Sequence, residues 1–212
     1  MRDGRVVTFK LGKRLYPKDD PVGSVFFPIN CIVSVLAGAN EKQLVGTATI
    51  GREGVVGASE LIQDQVAMGL HITQLPGAAV RIEGPAFRKH LMNLPQLRSL
   101  VEQHQYALMK QVLHGVACSR LHGTEARAAR WLLMMHDRAR ADTFPLTQQV
   151  LANMLAVRRA TANVAAGAFK RAGLIQYVRG KVTVIDRAGL ESAACECYTA
   201  ARPSYHRAGI HR

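Results

Sequence analysis

The chain has 212 residues and a net charge of +13, from 28 Lys and Arg against 15 Asp and Glu. This length allows one domain or two modest ones with a hydrophobic core, and a composition of 48% apolar and 20% charged residues excludes wholesale disorder and collagen-like order. A positive surplus of this size favours a polyanionic partner, either nucleic acid or an anionic membrane surface.

Neither membrane insertion nor secretion is expected. No window reaches the ~18 to 20 uninterrupted apolar residues of a membrane span, and the first residues lack the apolar segment of a signal peptide, so we expect a cytoplasmic protein. The cysteines include no C-x-x-C pair and are irregularly spaced, which predicts free thiols rather than disulfides or a zinc site. They are Cys31, Cys118, Cys195 and Cys197.

Charge divides the chain into two unequal halves. Residues 1–95 carry 11 basic and 8 acidic groups (+3), whereas residues 96–212 carry 17 and 7 (+10). Within the second half, residues 144–185 include Arg and Lys side chains but no carboxylate. Folded surfaces normally intersperse both signs, so this stretch is predicted to face an anion.

The first half is predicted to form short β-strands. Runs of β-branched and aromatic residues, separated by Gly, Pro, Asn and Asp, occupy residues 5–10, 24–27, 31–36, 43–50, 71–75 and 78–82. This pattern is typical of an antiparallel sandwich or jelly roll.

After Pro95 the apolar pattern becomes helical. From Leu97 to Val116 the apolar positions cover about half of the helix circumference, wider than the ~100° stripe of an ordinary surface helix. We therefore expect this helix to pack on its own β domain and on a second copy of the chain; burial wholly within one chain is the alternative. The predicted dimer interface consists of Leu97, Val101, His104, Leu108, Val112 and Val116.

The segment after Pro145 predicts a helix-turn-helix. Thr147 is a suitable N-cap for a short helix ending at Leu155, and a second helix is predicted over residues 158–172. The second helix is expected to bury Thr161, Ala165, Ala168, Phe169 and Ala172 and to present Arg159, Ala160, Asn163, Gly167 and Lys170. Small side chains let the backbone approach DNA, and Arg and Asn match guanine and adenine edges in the major groove.

A basic hairpin follows these helices. Residues 174–178 and 182–185 flank Arg179-Gly180-Lys181, which predicts a wing whose tip lies along the phosphate backbone.

Two sequence segments resemble the Crp/Fnr family, the cyclic-AMP receptor protein and its relatives. They are Thr147-Gln-Gln-Val-Leu-Ala-Asn-Met-Leu-Ala-Val-Arg-Arg-Ala-Thr161 and Arg171-Ala-Gly-Leu-Ile175. The β region is similar to that family's sensor at Gly12-x-x-Leu15-Tyr16, Val25-Phe-Phe-Pro28 and Gly51-Arg-Glu-Gly-Val-Val-Gly57. The resemblance implies an α+β fold with a cyclic-nucleotide-binding-like β roll (1–94), a dimerisation helix (95–120) and a winged helix-turn-helix domain (121–212).

The resemblance also implies a function. It predicts a bacterial transcription regulator, not an enzyme, that binds double-stranded DNA as a homodimer on an inverted-repeat operator and contacts RNA polymerase. The predicted DNA-binding residues are Thr147, Gln148, Arg158, Arg159, Ala160, Asn163, Gly167, Lys170, Arg179 and Lys181. Ala160 and Val164 replace the Glu and Arg that read bases in the cyclic-AMP receptor protein, so the operator should differ.

The sensor departs from the family's cyclic-AMP binders. Those proteins place Gly-Glu in this segment and Arg-Ser or Arg-Thr farther along, whereas Gly57 precedes Ala58 here and the Arg position falls near Met68-Gly69. No Lys or Arg occurs between Arg52 and Arg81, so the nucleotide phosphate would find no cation. We expect an effector other than cyclic AMP; the candidate pocket is Gly57, Ala58, Glu60, Met68 and Gly69.

The cysteines and histidines offer few signals of a metal or haem site. The family's iron-sulfur sensors have N-terminal cysteines, which this chain lacks before Cys31, but a haem- or redox-responsive member using His71 and Cys31 remains an alternative. His114, Cys118 and His122 have i, i+4, i+8 spacing that suits a metal. Two glycines weaken the helix there, so no metal site and no cofactor are predicted.

The sequence fits two other functional classes less well than a DNA-binding regulator. A metal-dependent enzyme on the β roll needs a His cluster, and His71 is alone between residues 1 and 89; G-x-S-x-G, P-loop and H-E-x-x-H motifs are also missing from the sequence. A signalling module that acts through protein partners is the remaining alternative. The acid-free stretch disfavours it, because protein partners do not generally demand one sign of charge.

Overall fold

The computed structural model describes residues 3–40, 43–63 and 66–200. An antiparallel β roll occupies the N-terminal part, a winged helix-turn-helix occupies the C-terminal part, and a long helix joins them. The predicted α+β architecture is therefore confirmed.

Two antiparallel sheets build the β roll, with strand orders β1-β7-β3 and β2-β6-β4-β5. Its elements are β1 (Gly4–Phe9), β2 (Arg14–Tyr16), β3 (Ser24–Pro28), β4 (Ile32–Ala37), β5 (Val45–Ile50), α1 (Ala58–Ile62), β6 (Leu70–Leu75), β7 (Gly77–Glu83) and α2 (Gly84–Asn93). The three-residue strand β2 escaped prediction because it is short and its register shifts between Arg14 and Tyr16.

Strand β3 is covered on both sides, which explains its continuous run of apolar residues. Its inner side chain Phe26 contacts the rings of Phe9 and Tyr16. On the other side, α2 places Phe87 with its ring centroid 6.2 Å from that of Phe27. A strand buried on both faces lacks the polar alternation of a half-exposed one.

The long helix α3 (Pro95–Leu121) has 27 residues and is about 40 Å long. Gln111 fixes it to β5: its Oε1 accepts a hydrogen bond from the Thr49 N–H at 2.9 Å and its Nε2 donates to the Thr49 carbonyl at 3.1 Å. Because β5 lies at the edge of its sheet, this side chain stands in for a missing strand partner.

The C-terminal part contains α4 (Thr124–Ala139), β8 (Thr143–Pro145), α5 (Gln148–Leu155), α6 (Arg159–Arg171), β9 (Ile175–Val178), β10 (Lys181–Val184) and α7 (Arg187–Ala193). Its small sheet has the order β8-β10-β9. Trp131, Phe144, Leu151 and Phe169 belong to the core beneath these elements. None of the helices in the three described ranges is long and apolar enough to span a membrane.

Candidate nucleic-acid interface

The turn between α5 and α6 is defined by a cap and a left-handed residue. Thr147 is the N-cap of α5, and its hydroxyl accepts a hydrogen bond from the Val150 N–H at 3.2 Å. Ala156 ends α5 with φ 54° and ψ 45°, a conformation that favours glycine and costs another residue about 1 kcal/mol. The turn therefore forms at an alanine, without the conformational freedom of glycine.

The start of α6 presents basic side chains to solvent. Arg158, Arg159 and Ala160 are exposed, and the Arg159 guanidinium donates through Nε and Nη2 to Gln148 Oε1 at 3.2 and 3.0 Å. Burial raises the pKa of Tyr177 at the base of the wing, and the charge of Arg159 partly opposes that shift. Two predicted DNA-binding residues, Arg159 and Gln148, are thus held together beside the wing.

The predicted phase of α6 needs correction. The buried positions are Ala162, Ala165, Ala166 and Phe169, because α6 packs against both α4 and α5. Thr161 and Ala172 are exposed and Ala168 is half-buried rather than fully buried.

Ala160 and Arg171, about three helical turns apart, therefore lie on nearly the same side of α6 and mark the centre of its outward face. Asn163 is half-buried and its Oδ1 is enclosed, whereas Val164 is 64% exposed. Gly167 is half-buried, with the Arg171 guanidinium lying over it. Arg171, which the sequence analysis did not include, joins the basic face, and Asn163 is displaced to its edge.

The wing is a tight hairpin with a firm base. Arg179 and Gly180 both have positive φ, 48° and 74°, as expected for a two-residue hairpin loop matched to strand twist. The Tyr177 hydroxyl donates to the Leu146 carbonyl at 2.9 Å, which ties the wing to the domain. Six cations are exposed on α6, its N-cap and the wing: Arg158, Arg159, Lys170, Arg171, Arg179 and Lys181.

The predicted effector residues differ widely in exposure. Glu60 is buried and its Oε1 lies 3.2 Å from His71 Nε2; Ala58 is also buried, whereas Met68 is 66% exposed. Gly57 adopts φ 86°, and a Cβ at Gly69 would lie 2.6 Å from the Leu36 carbonyl oxygen. The positive φ at Gly57 and the close approach of the Leu36 carbonyl at Gly69 therefore favour glycine at both positions, without a ligand.

His71 is fully engaged inside the roll. Its Nδ1 lies 3.0 Å from the Gly69 carbonyl oxygen, and its Nε2 faces Glu60. Burial alone would raise the pKa of Glu60, but the hydrogen bond and charge of His71 outweigh it and lower that pKa. Both ring nitrogens of His71 therefore have polar partners within the roll.

The predicted dimer face of α3 also needs correction. Val101 and His104 are buried, and Leu97, Leu108 and Val112 are half-buried, because Leu97, Val101 and Leu108 pack on the core of the roll. Of the predicted set, Val116 alone is exposed. On the opposite side of the helix lies an exposed stripe of apolar residues: Tyr106, Met109, Leu113 and Val116.

Sequence reasoning missed two buried clusters. In one, Arg138 of α4 donates through Nε to Glu53 Oε1 at 2.7 Å. His104 of α3 lies beside this pair, so close to Gly54 that a Cβ at residue 54 would clash with the imidazole. In the other, Cys118, His122, Cys195 and Cys197 lie together. All four cysteines are free thiols, as predicted, but the irregular spacing did not show that three of them meet. The i, i+4 pair Cys118 and His122, together with Cys195-x-Cys197, was the available signal.

Comparison with known proteins agrees with this geometry. Residues 126–193 match the Crp-like helix-turn-helix domain, and the complete fold is that of Crp/Fnr regulators. The chain is similar to FixK2 from Bradyrhizobium japonicum (TM-score 0.76, 14% identity, covering 91% of this chain and 98% of that one). It is also similar to TTHB099, a CRP family regulator from Thermus thermophilus (0.74, 18%, 89% and 96%).

A third similar structure is the c-di-GMP responsive global regulator CLP from Xanthomonas campestris (TM-score 0.71, 14% identity, covering 86% of this chain and 94% of that one). No curated protein sequence matches the chain significantly. The predicted resemblance to the Crp/Fnr family is confirmed, and the C-terminal part is a Crp-like helix-turn-helix domain.

Proposed function

We propose that this protein is a sequence-specific DNA-binding transcription regulator that acts as a homodimer on an inverted-repeat operator. The observation that carries the proposal is the exposed, acid-free cationic surface formed by α6 and the wing of a Crp-like domain. Double-stranded DNA is the partner that matches one sign of charge over both elements. A module that acts only through protein partners has no comparable need for this surface.

The proposed division of labour follows the three parts of the chain. Residues 1–94 form the sensor, 95–120 the dimerisation helix and 121–212 the DNA-binding domain, with RNA polymerase as the further partner. Residues 1–2, 41–42, 64–65 and 201–212 of these domains lie outside the described residues. No catalytic role is proposed.

The exposed stripe on α3 is the surface we assign to the second copy of the chain. Tyr106, Met109, Leu113 and Val116 follow one another at intervals of three, four and three residues, the spacing of a coiled-coil seam. A two-fold axis along this seam would place the two α6 helices in successive major grooves, about one DNA turn apart. The operator should then be an inverted repeat.

Two variants should distinguish contacts to DNA bases from contacts to the phosphate backbone. Arg159→Ala should weaken binding to an operator selected from random DNA by about 1 to 3 kcal/mol and relax discrimination at one base pair per half-site. Lys181→Ala should weaken all sequences alike and lower the salt slope by about one unit, because it removes a phosphate contact. Titration against operator and scrambled DNA at several salt concentrations measures both effects.

Lys10→Ala is the matched control, because it removes the same charge from an exposed position on the β roll and should change neither quantity. If Arg159→Ala lowers the affinity for operator and scrambled DNA equally, Arg159 of α6 does not contribute to sequence recognition. Genome-wide bound sites without a common sequence would replace the regulator by an architectural DNA-binding protein.

Cyclic AMP is expected to leave both the melting temperature and the affinity for DNA unchanged. The sensor offers no Lys or Arg between Arg52 and Arg81, and His71 already occupies the Glu60 carboxylate. Calorimetric titration of the full chain is the direct measurement. Saturable binding at micromolar cyclic AMP, accompanied by tighter operator binding, would contradict the expectation.

A further inference from the structure

Three cysteines and one histidine from distant parts of the chain meet at the base of the DNA-binding domain. Cys118 and His122 stand at the end of α3, and Cys195 and Cys197 follow α7. Their four ligand atoms all lie within 4.8 Å of one another. Cys118 Sγ is 3.4 Å from Cys195 Sγ, and Cys197 Sγ is 3.8 Å from His122 Nδ1.

Backbone hydrogen bonds fix the local conformation around each pair of ligands, Cys118 with His122 and Cys195 with Cys197. Cys118 and His122 are separated by one helical turn, and the His122 N–H donates to the Cys118 carbonyl at 3.2 Å. On the other side, the Tyr198 N–H donates to the Cys195 carbonyl at 3.0 Å.

The segment that carries Cys195 and Cys197 is anchored independently of the cluster. The Tyr198 hydroxyl donates to Asp137 Oδ2 at 3.0 Å and accepts from Arg187 Nη2 at 2.7 Å. These bonds attach the chain after α7 to α4. The four ligand atoms are therefore brought together by the fold itself.

We propose that Cys118, His122, Cys195 and Cys197 bind one zinc ion. Zn–S bonds of about 2.3 Å and Zn–N bonds of about 2.0 to 2.1 Å in a tetrahedron place neighbouring ligand atoms roughly 3.5 to 3.8 Å apart. Two of the distances here are 3.4 and 3.8 Å, and all four ligand atoms lie within 4.8 Å of one another. Three Cys and one His are a ligand set of structural zinc sites. An iron-sulfur cluster would need its ligands farther apart than a single ion does.

The surroundings of the cluster also suit a metal-bound histidine. His122 Nε2 lies 3.0 Å from Glu196 Oε1, and its Nδ1 faces the sulfurs, 3.8 Å from Cys197 Sγ. A proton on Nε2 would donate to this carboxylate and leave Nδ1 as the metal ligand. A carboxylate on the second ring nitrogen is the usual support of a histidine ligand. Burial raises the pKa of all three thiols, and the positive charge of Arg130 partly opposes that rise.

Simple hydrophobic packing explains the cluster poorly. The three cysteines form a small group of their own, against which only Ala126 packs among the described apolar residues. A zinc ion there would join the end of α3 to the segment after α7, and so fix the DNA-binding domain to the helix that we assign to the dimer. Metal binding and DNA binding can be measured separately, so either proposal can fail without the other.

The direct test measures metal in the full chain, purified without oxygen, chelator or a metal-binding tag. We expect about one zinc per chain by mass spectrometry, and X-ray absorption that shows three sulfurs and one nitrogen. Cys197→Ala should lose the zinc. Cys31→Ala should keep it, because Cys31 is also buried but lies in the β roll.

A second variant keeps the test informative if Cys197→Ala does not fold. Glu196→Gln retains all four ligands and should weaken zinc affinity by about 10- to 100-fold, measured by competition with a chromogenic chelator. An unchanged affinity would contradict the assigned support of His122. The proposal is overturned if the reduced chain holds no zinc after growth in zinc, if Cys118 and Cys195 are found as a disulfide, or if the ligands hold iron with sulfide.

Discussion

Glu53→Gln is expected to destabilise the folded protein by about 3 to 5 kcal/mol, because it removes the carboxylate that neutralises a buried guanidinium. Glu53 Oε1 and Arg138 Nε are 2.7 Å apart, and the two side chains are 3% and 0% exposed. Glu53 Oε1 also accepts a hydrogen bond from the Gly51 N–H at 3.1 Å. Urea unfolding at neutral pH measures the loss.

An exposed ion pair supplies the control for this variant. Glu102 pairs with Arg98 at 2.9 Å, with side chains that are 60% and 69% exposed, so Glu102→Gln should cost well under 1 kcal/mol. Replacing Glu53 and Arg138 together by Met should recover much of the loss, since no charge then stays buried. A cost for Glu53→Gln no larger than that for Glu102→Gln would contradict burial of the pair.

This ion pair also connects the three parts of the molecule. Glu53 lies in the segment after β5 of the sensor, Arg138 belongs to α4 of the DNA-binding domain, and His104 of α3 lies beside them. Burial lowers the pKa of His104, and the charge of Glu53 partly opposes that shift. A change in the sensor that moved Glu53 would therefore reach both other parts directly.

Local sequence patterns predicted most helices and strands of the fold, but not which side of each helix packs against the rest of the chain. The cap at Thr147 and the turn at Arg179-Gly180 depend on nearby residues, and both formed where expected. The phases of α3 and α6 were misassigned because apolar residues occur on both sides of each helix. Only the packed structure shows which side meets the same chain.

Contacts between distant residues left still less signal. Cys118 and Cys195 are 77 positions apart, and the spacing of either pair alone is common in proteins without metal. Nothing local to Glu53 shows that it will be buried against a helix 85 positions away. The hydrophobic periodicity of a single sequence predicts helices and strands but does not show which distant residues meet.

The second large effect is expected from Leu113→Glu, which should convert the proposed dimer to monomers. Leu113 is 61% exposed at the centre of the stripe that runs from Tyr106 to Val116. Two-fold symmetry would set the two glutamates against each other in an apolar seam, where like charges are strongly unfavourable. We expect the dissociation constant to rise by at least ~100-fold, equivalent to about 2.7 kcal/mol, in sedimentation velocity across a concentration series.

Gln103→Glu adds the same charge to an exposed position of α3 outside the stripe and should leave the dimer intact. The Leu113 variant should also lose affinity for an inverted repeat while binding an isolated half-site as the unchanged protein does, because Leu113 belongs to α3 and not to α6 or the wing. A dimer that survives Leu113→Glu would place the interface elsewhere. A monomer with unchanged affinity for the inverted repeat would instead separate DNA recognition from dimerisation.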